Sequence, residues 1–222
     1  MNKTSQNRQW AIAPGEIFGM GPVIPVLVIH KEDDAIPVAT ALLEGGLSVL
    51  EVTLRTPSAL AAIRRIAREL PEALVGAGTV TNARHLQEAL AAGARFLISP
   101  GLTPNLLAAA NTADMPLIPG IATISELMTG LDYGFDHFKF FPAEASGGPK
   151  ALKAIAGPFP NIRFCPTGGI TADNMMSYLK LNNVDCVGAS WLVTQELVAA
   201  GDWKEITRRT RQVLQQTGYD FE

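Results

Sequence analysis

Lys139 is the residue whose surroundings point most directly to chemistry. It lies in the apolar run 137–144, with Phe138 and Phe140 on either side. Side chains of an extended strand alternate between two faces, so the lysine is expected to point away from both rings. A lone buried ammonium is unfavourable unless it is paired or loses its charge, and a neutral amine is a nucleophile. The run predicts either a lysine that forms a Schiff base with a carbonyl or a salt-bridged lysine on an edge strand.

A second strand-like run, residues 48–54, carries polar side chains at alternate positions. Alternation places Glu51, Thr53 and Arg55 on one face, whereas branched apolar residues normally fill a packed barrel interior. One interpretation is a structural ion pair between Glu51 and Arg55. We favour the other, because Lys139 also needs a partner on an inner face. In that interpretation, Glu51 is a general acid and base and Arg55 binds a carboxylate.

Two further strand ends carry small or rigid residues. Residues 76–79 read Gly-Ala-Gly-Thr. The glycines let a ligand approach the backbone and the hydroxyl of Thr79 can orient it, although a tight turn explains the glycines equally well. Residues 99–101 read Ser-Pro-Gly, so Pro100 is either a rigid wall of a pocket or the end of a strand.

Two loops late in the chain have features of a phosphate site. Thr167, Gly168 and Gly169 precede a capped helix, and Ser190 follows the next strand. In (β/α)8 barrels, the loops after the seventh and eighth strands often hold a phosphate with backbone N–H groups and a helix N-terminus. A pair of glycines alone is a weak signal, but two suitable loops at these places favour a phosphate site.

Strand-like and helix-like segments alternate along the whole chain, which implies parallel pairing with right-handed crossovers. About eight such units predict an α/β (β/α)8 TIM barrel. We expect one domain over residues 22–222, after a helical lead-in at residues 1–21. The alternative, an open doubly wound sheet, usually has a glycine-rich turn after the first strand, and this chain has none there. The predicted strands are residues 23–29, 48–54, 73–77, 95–99, 117–119, 137–141, 161–165 and 184–189.

Composition excludes several classes of protein. The 222 residues are 47% hydrophobic and 18% charged with a formal net charge of −3, so we expect a globular protein that does not bind nucleic acid. The polar start is unlike a signal peptide and no apolar run approaches a membrane span, which predicts a cytoplasmic protein with no membrane association. Cys165 and Cys186 lie in apolar runs and are predicted to be reduced core residues.

A metal site is not predicted. The histidines His30, His85 and His137 are scattered, and the cysteines lack zinc-type spacing. Glu51 has no carboxylate partner at a neighbouring strand end, as a metal-enolate mechanism would require. We therefore expect neither a metal nor another cofactor.

Six motifs occur in one order along the chain. They are VLEVTLRT at 49–56, VGAGTV at 75–80, ISPG at 98–101, PG at 119–120, FKFFPAE at 138–144 and RFCPTGGI at 163–170. Together they closely resemble the 2-keto-3-deoxy-6-phosphogluconate (KDPG) aldolase family, and the resemblance runs from about Pro22 to Trp203. Several motifs in a fixed order are far more specific than any one of them.

The resemblance implies a metal-independent Schiff-base aldolase of the Entner–Doudoroff pathway, usually trimeric. Its small-molecule substrate would be KDPG, cleaved to pyruvate and D-glyceraldehyde 3-phosphate, with 4-hydroxy-2-oxoglutarate as a further substrate. Lys139 matches the Schiff-base lysine of the family and Glu51 its proton-transferring glutamate. The matching substrate-binding residues are Arg55 and Thr79 for the pyruvate carboxylate, Pro100 and Phe141 for the pocket wall, and Thr167, Gly168, Gly169 and Ser190 for the phosphate and substrate tail.

Three other functions stay open at this point. A 6-phosphogalactonate aldolase differs in one hydroxyl stereocentre of its substrate, which the sequence does not reveal. A non-catalytic sugar-phosphate-binding barrel would keep the phosphate loops but has no need of Lys139 together with Glu51. A metal-dependent aldolase is disfavoured by the lack of a ligand set.

Overall fold

The structure, a computed structural model, describes residues 10–219. The strands are β1 Val23–Leu27, β2 Val49–Thr53, β3 Leu74–Gly78, β4 Leu97–Ile98, β5 Leu117–Ile118, β6 Gly120–Ile121, β7 His137–Phe140, β8 Arg163–Pro166 and β9 Val187–Ala189. The helices are α1 Pro14–Gly19, α2 Ala35–Glu44, α3 Ala59–Glu69, α4 Ala83–Ala91, α5 Pro104–Asn111, α6 Ile124–Asp132, α7 Gly148–Ile155, α8 Met175–Leu179, α9 Gln195–Ala200 and α10 Trp203–Thr217. No helix in this range has the length and apolar character needed to cross a bilayer.

All strand pairs are parallel and belong to two sheets. One has the order β5-β4-β3-β2-β1-β9 and the other β6-β7-β8. Only Pro119 lies between β5 and β6, and single parallel bridges from Phe164 to Val184 and from Thr167 to Gly188 link the β8 and β9 segments. These pairings make an α/β fold whose parallel strands curl as part of a barrel. They do not by themselves show the complete eight-stranded barrel predicted from the sequence.

Several predicted elements have different limits in the structure. The predicted strand at 184–189 forms its ladder only from Val187, because the Val184 N–H closes a turn by donating to the Leu181 carbonyl at 3.0 Å. The predicted fifth strand is interrupted at Pro119, which has no N–H to donate to a ladder. The helical lead-in is present as α1, while residues 1–9 lie outside the described residues.

An inner apolar cluster joins α1 to the strands. It consists of Ile17, Phe18, Ile24, Val49, Leu74, Phe96, Ile98, Ile118, Cys165 and Cys186. Phe18 also packs edge-on against His137 at the start of β7, with ring centroids 5.4 Å apart, so α1 lies at the amino ends of the strands. Glu51 follows Val49 by two residues, and alternation directs it to the face that this cluster fills.

The two cysteines are buried and unoxidised, as their apolar surroundings predicted. Burial, and then the neighbouring Cys165 thiol, raise the pKa of the Cys186 thiol well above its ordinary value. A thiol held in its neutral form is a poor nucleophile. The two cysteines therefore serve as small core residues of the inner apolar cluster.

Helix α6, which leads into β7, begins with a reciprocal cap. The Thr123 hydroxyl accepts from the Glu126 N–H at 3.3 Å. The Glu126 carboxylate accepts from the Ala122 and Thr123 N–H groups at 2.8 Å each, and from the Thr123 hydroxyl at 2.9 Å. Burial raises the pKa of the Glu126 carboxyl, but the three hydrogen bonds outweigh it and hold the pKa below its ordinary value.

We expect Glu126→Gln to lower the free energy of unfolding by about 1 kcal/mol at neutral pH, since a charge-assisted cap becomes a neutral one. Because the folded pKa is lowered, the carboxylate stabilises the fold above its unfolded value of about 4.3, and this contribution is lost as the pH falls through the folded value. In urea unfolding, the difference between wild type and variant should close as the pH falls below the lowered folded pKa of Glu126. Ser125→Ala, an exposed change on the same helix, is the control. A difference that persists undiminished in acid contradicts the assignment.

Candidate active site

Lys139 on β7 and Glu51 on β2 meet in a buried ion pair. The Lys139 Nζ lies 3.1 Å from Glu51 Oε1 and 3.5 Å from Oε2. Their side chains are 7% and 2% exposed. Since β2 and β7 belong to different sheets, this contact spans the interior. A buried charge without a partner is strongly unfavourable. The attraction between the two groups is therefore the main term that offsets the free-energy cost of burying each of them.

Strand β3 leaves room for the Glu51 carboxylate. Glu51 is opposite Gly76 in the ladder, and Gly78 follows on the same face. A Cβ at Gly78 would overlap Glu51 Oε1, and one at Gly76 would lie 2.5 Å from the Phe96 ring. Side chains at these two positions are therefore excluded by close packing. This is a third reason for the glycines, besides ligand approach and a tight turn.

Phe141 lies beside the lysine, and Pro100 lies beside the ladder partner of the lysine. The Lys139 Nζ lies 5.5 Å from the centre of the Phe141 ring, within the range of a cation–π contact. Gly120 is opposite Lys139 in the β6–β7 ladder, and a Cβ there would overlap the Pro100 carbonyl. An aromatic ring therefore contacts Lys139, and the backbone of the loop after β4 packs against the residue paired with it.

Thr79 directly follows β3 in a strained conformation. Its φ is +59°, and among the described residues it is the one non-glycine with a positive φ. A β-branched residue in the left-handed region is destabilised by about 1–3 kcal/mol. Glycine at this position would avoid the strain. The presence of threonine instead indicates a role for its hydroxyl group.

Arg55 lies two residues beyond β2, where the chain has left the strand. Its N–H closes a tight turn on the Thr53 carbonyl at 2.8 Å, and its side chain is exposed. The Thr53 hydroxyl is buried and donates to the Leu27 carbonyl at 2.8 Å. Within the described chain the Arg55 guanidinium makes no ion pair, and the partner of Glu51 is Lys139. The alternative of a Glu51–Arg55 ion pair is therefore wrong.

The loop after β8 is held by backbone hydrogen bonds. The Ala143 N–H donates to the Thr167 carbonyl at 2.8 Å, and the Glu144 N–H donates to the Gly168 carbonyl at 3.1 Å. Gly168 and Gly169 have φ values of +100° and +77°, which glycine adopts without strain. The Thr167 hydroxyl is buried without a hydrogen-bond partner among the described residues. An unpaired buried hydroxyl is unfavourable, and a ligand that bonds it removes that penalty.

Ser190 follows β9 directly and is exposed. The bridge between Thr167 and Gly188 brings its loop beside the loop after β8. The predicted capped helix behind this pair begins late, because the Thr171 N–H donates to the Asn174 side chain at 2.8 Å and the regular helix starts at Met175. The two loops therefore offer backbone N–H groups and hydroxyls without the predicted helix terminus.

Sequence reasoning did not find the contacts of Glu144, Tyr178 and Asn174 around the Gly168–Gly169 turn. The Tyr178 hydroxyl donates to Glu144 Oε1, and Asn174 Nδ2 donates to the Gly169 carbonyl at 3.1 Å. The Thr171–Asn174 spacing, typical of a side-chain turn, was an available signal for Asn174.

No group of three or more His, Cys, Asp or Glu side chains within residues 10–219 is arranged to hold a metal ion.

Known proteins resemble this chain over most of its length. The family model for KDPG and KHG aldolases matches residues 15–209. The 2-dehydro-3-deoxy-phosphogluconate aldolase of Pseudoalteromonas atlantica is 57% identical over 93% of this chain and 96% of its own. The KHG/KDPG aldolase of Escherichia coli K12 is 56% identical over 94% of this chain and 98% of its own. The chain belongs to the KDPG and KHG aldolase family.

A solved structure extends the comparison to the fold. The KDPG aldolase of Legionella pneumophila has a TM-score of 0.91 and 51% identity, covering 92% of this chain and 99% of that one. Its crystal structure holds pyruvate captured at low pH as a covalent carbinolamine intermediate. That related enzyme thus forms a covalent adduct with a 2-keto acid on an α/β fold of this kind.

We expect Gly78→Ala to separate Glu51 from Lys139, because the added methyl group occupies the position of the carboxylate oxygen. Breaking a buried ion pair destabilises a protein by about 3–5 kcal/mol, and urea unfolding should show a loss of this size. Gly101→Ala, where nothing lies within 4 Å of the added group, is the matched control. A crystal structure of Gly78→Ala with the 3.1 Å contact intact would refute the packing argument.

Proposed function

We propose that this chain is a Schiff-base aldolase that cleaves KDPG to pyruvate and D-glyceraldehyde 3-phosphate. The observation that carries the proposal is the buried pair of Lys139 and Glu51. It places an amine beside a group that can accept its proton, inside a fold shared with aldolases. The E. coli relative, named for both KHG and KDPG, supports 4-hydroxy-2-oxoglutarate as a second substrate.

The first half of the reaction forms the imine. Lys139 attacks as the neutral amine, and Glu51 at 3.1 Å is positioned to take the proton that the ammonium must lose. The Nζ lone pair then bonds to C2 of the 2-keto acid and gives a carbinolamine. Glu51 then returns its proton to the carbinolamine hydroxyl, which leaves as water. This gives a protonated imine, which can accept an electron pair, and makes Glu51 a carboxylate again.

The second half breaks the carbon–carbon bond. Glu51 accepts the proton of the C4 hydroxyl as the C3–C4 bond breaks, and the bonding electrons move into the imine to give an enamine. D-glyceraldehyde 3-phosphate leaves with its new carbonyl. A proton returns to C3, and water hydrolyses the imine to release pyruvate and free Lys139. One carboxylate thereby serves as base and then as acid.

Residues around the pair would bind the pyruvate half of the substrate. Arg55 carries an exposed guanidinium two residues after β2, and planar guanidinium groups bind carboxylates in two-point contacts. The Thr79 hydroxyl, kept in a strained backbone conformation, is a second donor for the same carboxylate. Pro100 and Phe141 form the walls that keep water from the imine.

The loops after β8 and β9 would bind the phosphate. Thr167 and Ser190 carry hydroxyl groups, and Gly168 and Gly169 carry backbone N–H groups in a turn that glycine adopts without strain.

We infer that the strands close into an eight-stranded barrel formed by residues 22–222 as a single domain. Support for closure comes from the two bridges between the β8 and β9 segments, and from the continuity of β5 and β6 across Pro119. Counting β5 and β6 as one strand leaves eight, and β4 and β7 are then its neighbours. An eight-stranded barrel has an interior that side chains fill, as the inner apolar cluster does.

We also propose a cytoplasmic homotrimer. Free buried cysteines suit a reducing compartment. Ile124 and Met128 on α6 are 41% and 54% exposed. Ile124 also borders an apolar hollow of ≈ 410 Å³ that includes Phe140 and Ile155, and a contiguous apolar surface marks a contact between proteins. A cyclic assembly of three copies would cover this surface.

The purified chain should cleave KDPG in an assay for pyruvate, in the presence of a strong chelator.

Glu51→Gln should lower kcat by about 10²–10⁴-fold, because a positioned acid and base contributes a factor of this order. Glu72→Gln, an exposed substitution, is the control. Unchanged turnover in Glu51→Gln would overturn the role of Glu51. A wild-type chain that binds phosphorylated sugar acids without cleaving them would support the non-catalytic alternative, and preferential cleavage of the galactonate epimer would reassign the substrate.

A further inference from the structure

Tyr178 on α8 connects this helix to the segment after β7. Its hydroxyl donates to Glu144 Oε1, and its side chain is completely buried. Burial, and then the hydrogen bond to Glu144, raise the pKa of Tyr178 well above its ordinary value. The hydroxyl is therefore a donor at neutral pH. Gly148 lies beneath the contact, where a Cβ would be 3.3 Å from the tyrosine oxygen and 3.4 Å from Glu144 Oε1.

Glu144 contacts the phosphate loop in two ways. Its backbone N–H donates to the Gly168 carbonyl at 3.1 Å. Its side chain covers Gly169, where an added Cβ would lie 2.6 Å from Glu144 Cγ and 2.7 Å from its Cβ. The hydrogen bond from Tyr178 holds the Glu144 carboxylate in place. The Glu144 side chain then restricts the backbone conformations that Gly169 can adopt.

The other side of the turn is also held. Asn174 Nδ2 donates to the Gly169 carbonyl at 3.1 Å, while its Oδ1 accepts from the Thr171 N–H at 2.8 Å. The Gly168–Gly169 backbone thus lies between two side-chain contacts, one from Glu144 and one from Asn174. A glycine pair has the greatest conformational freedom of any dipeptide, so these contacts restrict a segment that would otherwise sample many conformations.

We propose that Glu144 and Tyr178 are positioning residues that hold the Thr167–Gly169 loop in its phosphate-binding shape. They thereby set the preference for a phosphorylated aldehyde over the same aldehyde without phosphate. This inference rests on the proposed function and deepens it. A loop whose N–H groups are already aligned loses less conformational freedom when phosphate binds. Among the described residues, no hydrogen bond joins Tyr178 to Lys139 or Glu51, so the effect is expected at the phosphate end.

The test is condensation of pyruvate with D-glyceraldehyde 3-phosphate and with D-glyceraldehyde, which differ only in the phosphate. The readout is the ratio of the two kcat/KM values. Tyr178→Phe removes one oxygen and should lower this ratio about tenfold, chiefly through a higher KM for the phosphorylated aldehyde. Glu144→Gln keeps an oxygen acceptor for the tyrosine and should retain most of the ratio. Glu144→Ala removes the acceptor and should lose as much as Tyr178→Phe.

Tyr219→Phe is the matched control, because it removes a tyrosine hydroxyl that donates to the Met20 carbonyl at 3.0 Å. A ratio unchanged in both Tyr178→Phe and Glu144→Ala overturns the inference. Equal losses with the two aldehydes also overturn it, since they would indicate a general structural role. A wild-type chain that condenses pyruvate with neither aldehyde would refute the proposed function itself, which separates that failure from a failure of this inference.

Discussion

The buried ion pair between Lys139 and Glu51 is the interaction on which the arrangement of the site depends. An ammonium placed alone in this interior would be strongly unfavourable, and the carboxylate 3.1 Å away makes its burial possible. The same pairing gives the lysine a proton acceptor. In the proposed mechanism, the lysine must present a neutral amine to a ketone, and this pairing puts its base in place before the substrate binds.

The packing around the pair follows from this requirement. A carboxylate on β2 can reach the lysine on β7 only if β3 presents no side chain between them, and Gly78 fulfils that condition. The inner apolar cluster fills the amino ends of the strands, so the polar residues lie toward their carboxyl ends. In the proposed function, the loops after those ends supply the substrate-binding groups, which is where barrels of parallel strands usually carry them.

Much of this was predictable from sequence, for identifiable reasons. Alternation placed Lys139 and Glu51 on inner faces, and the rhythm of strands and helices indicated a parallel fold. The partner of Glu51 was not settled by local pattern, because Arg55 is near in sequence whereas Lys139 is 88 residues away. The Glu144–Tyr178 contact was missed for the same reason, since it joins a residue after β7 to a residue of α8 that only the completed fold brings close.

The most direct test is borohydride reduction in the presence of pyruvate, followed by intact-mass and peptide analysis. We expect one reduced pyruvate adduct per chain, on Lys139, and none in Lys139→Arg. If the buried lysine is the nucleophile, attachment is confined to that side chain. A folded protein that gives no adduct, or carries it on another lysine, would contradict the assignment of Lys139 and with it the proposed mechanism.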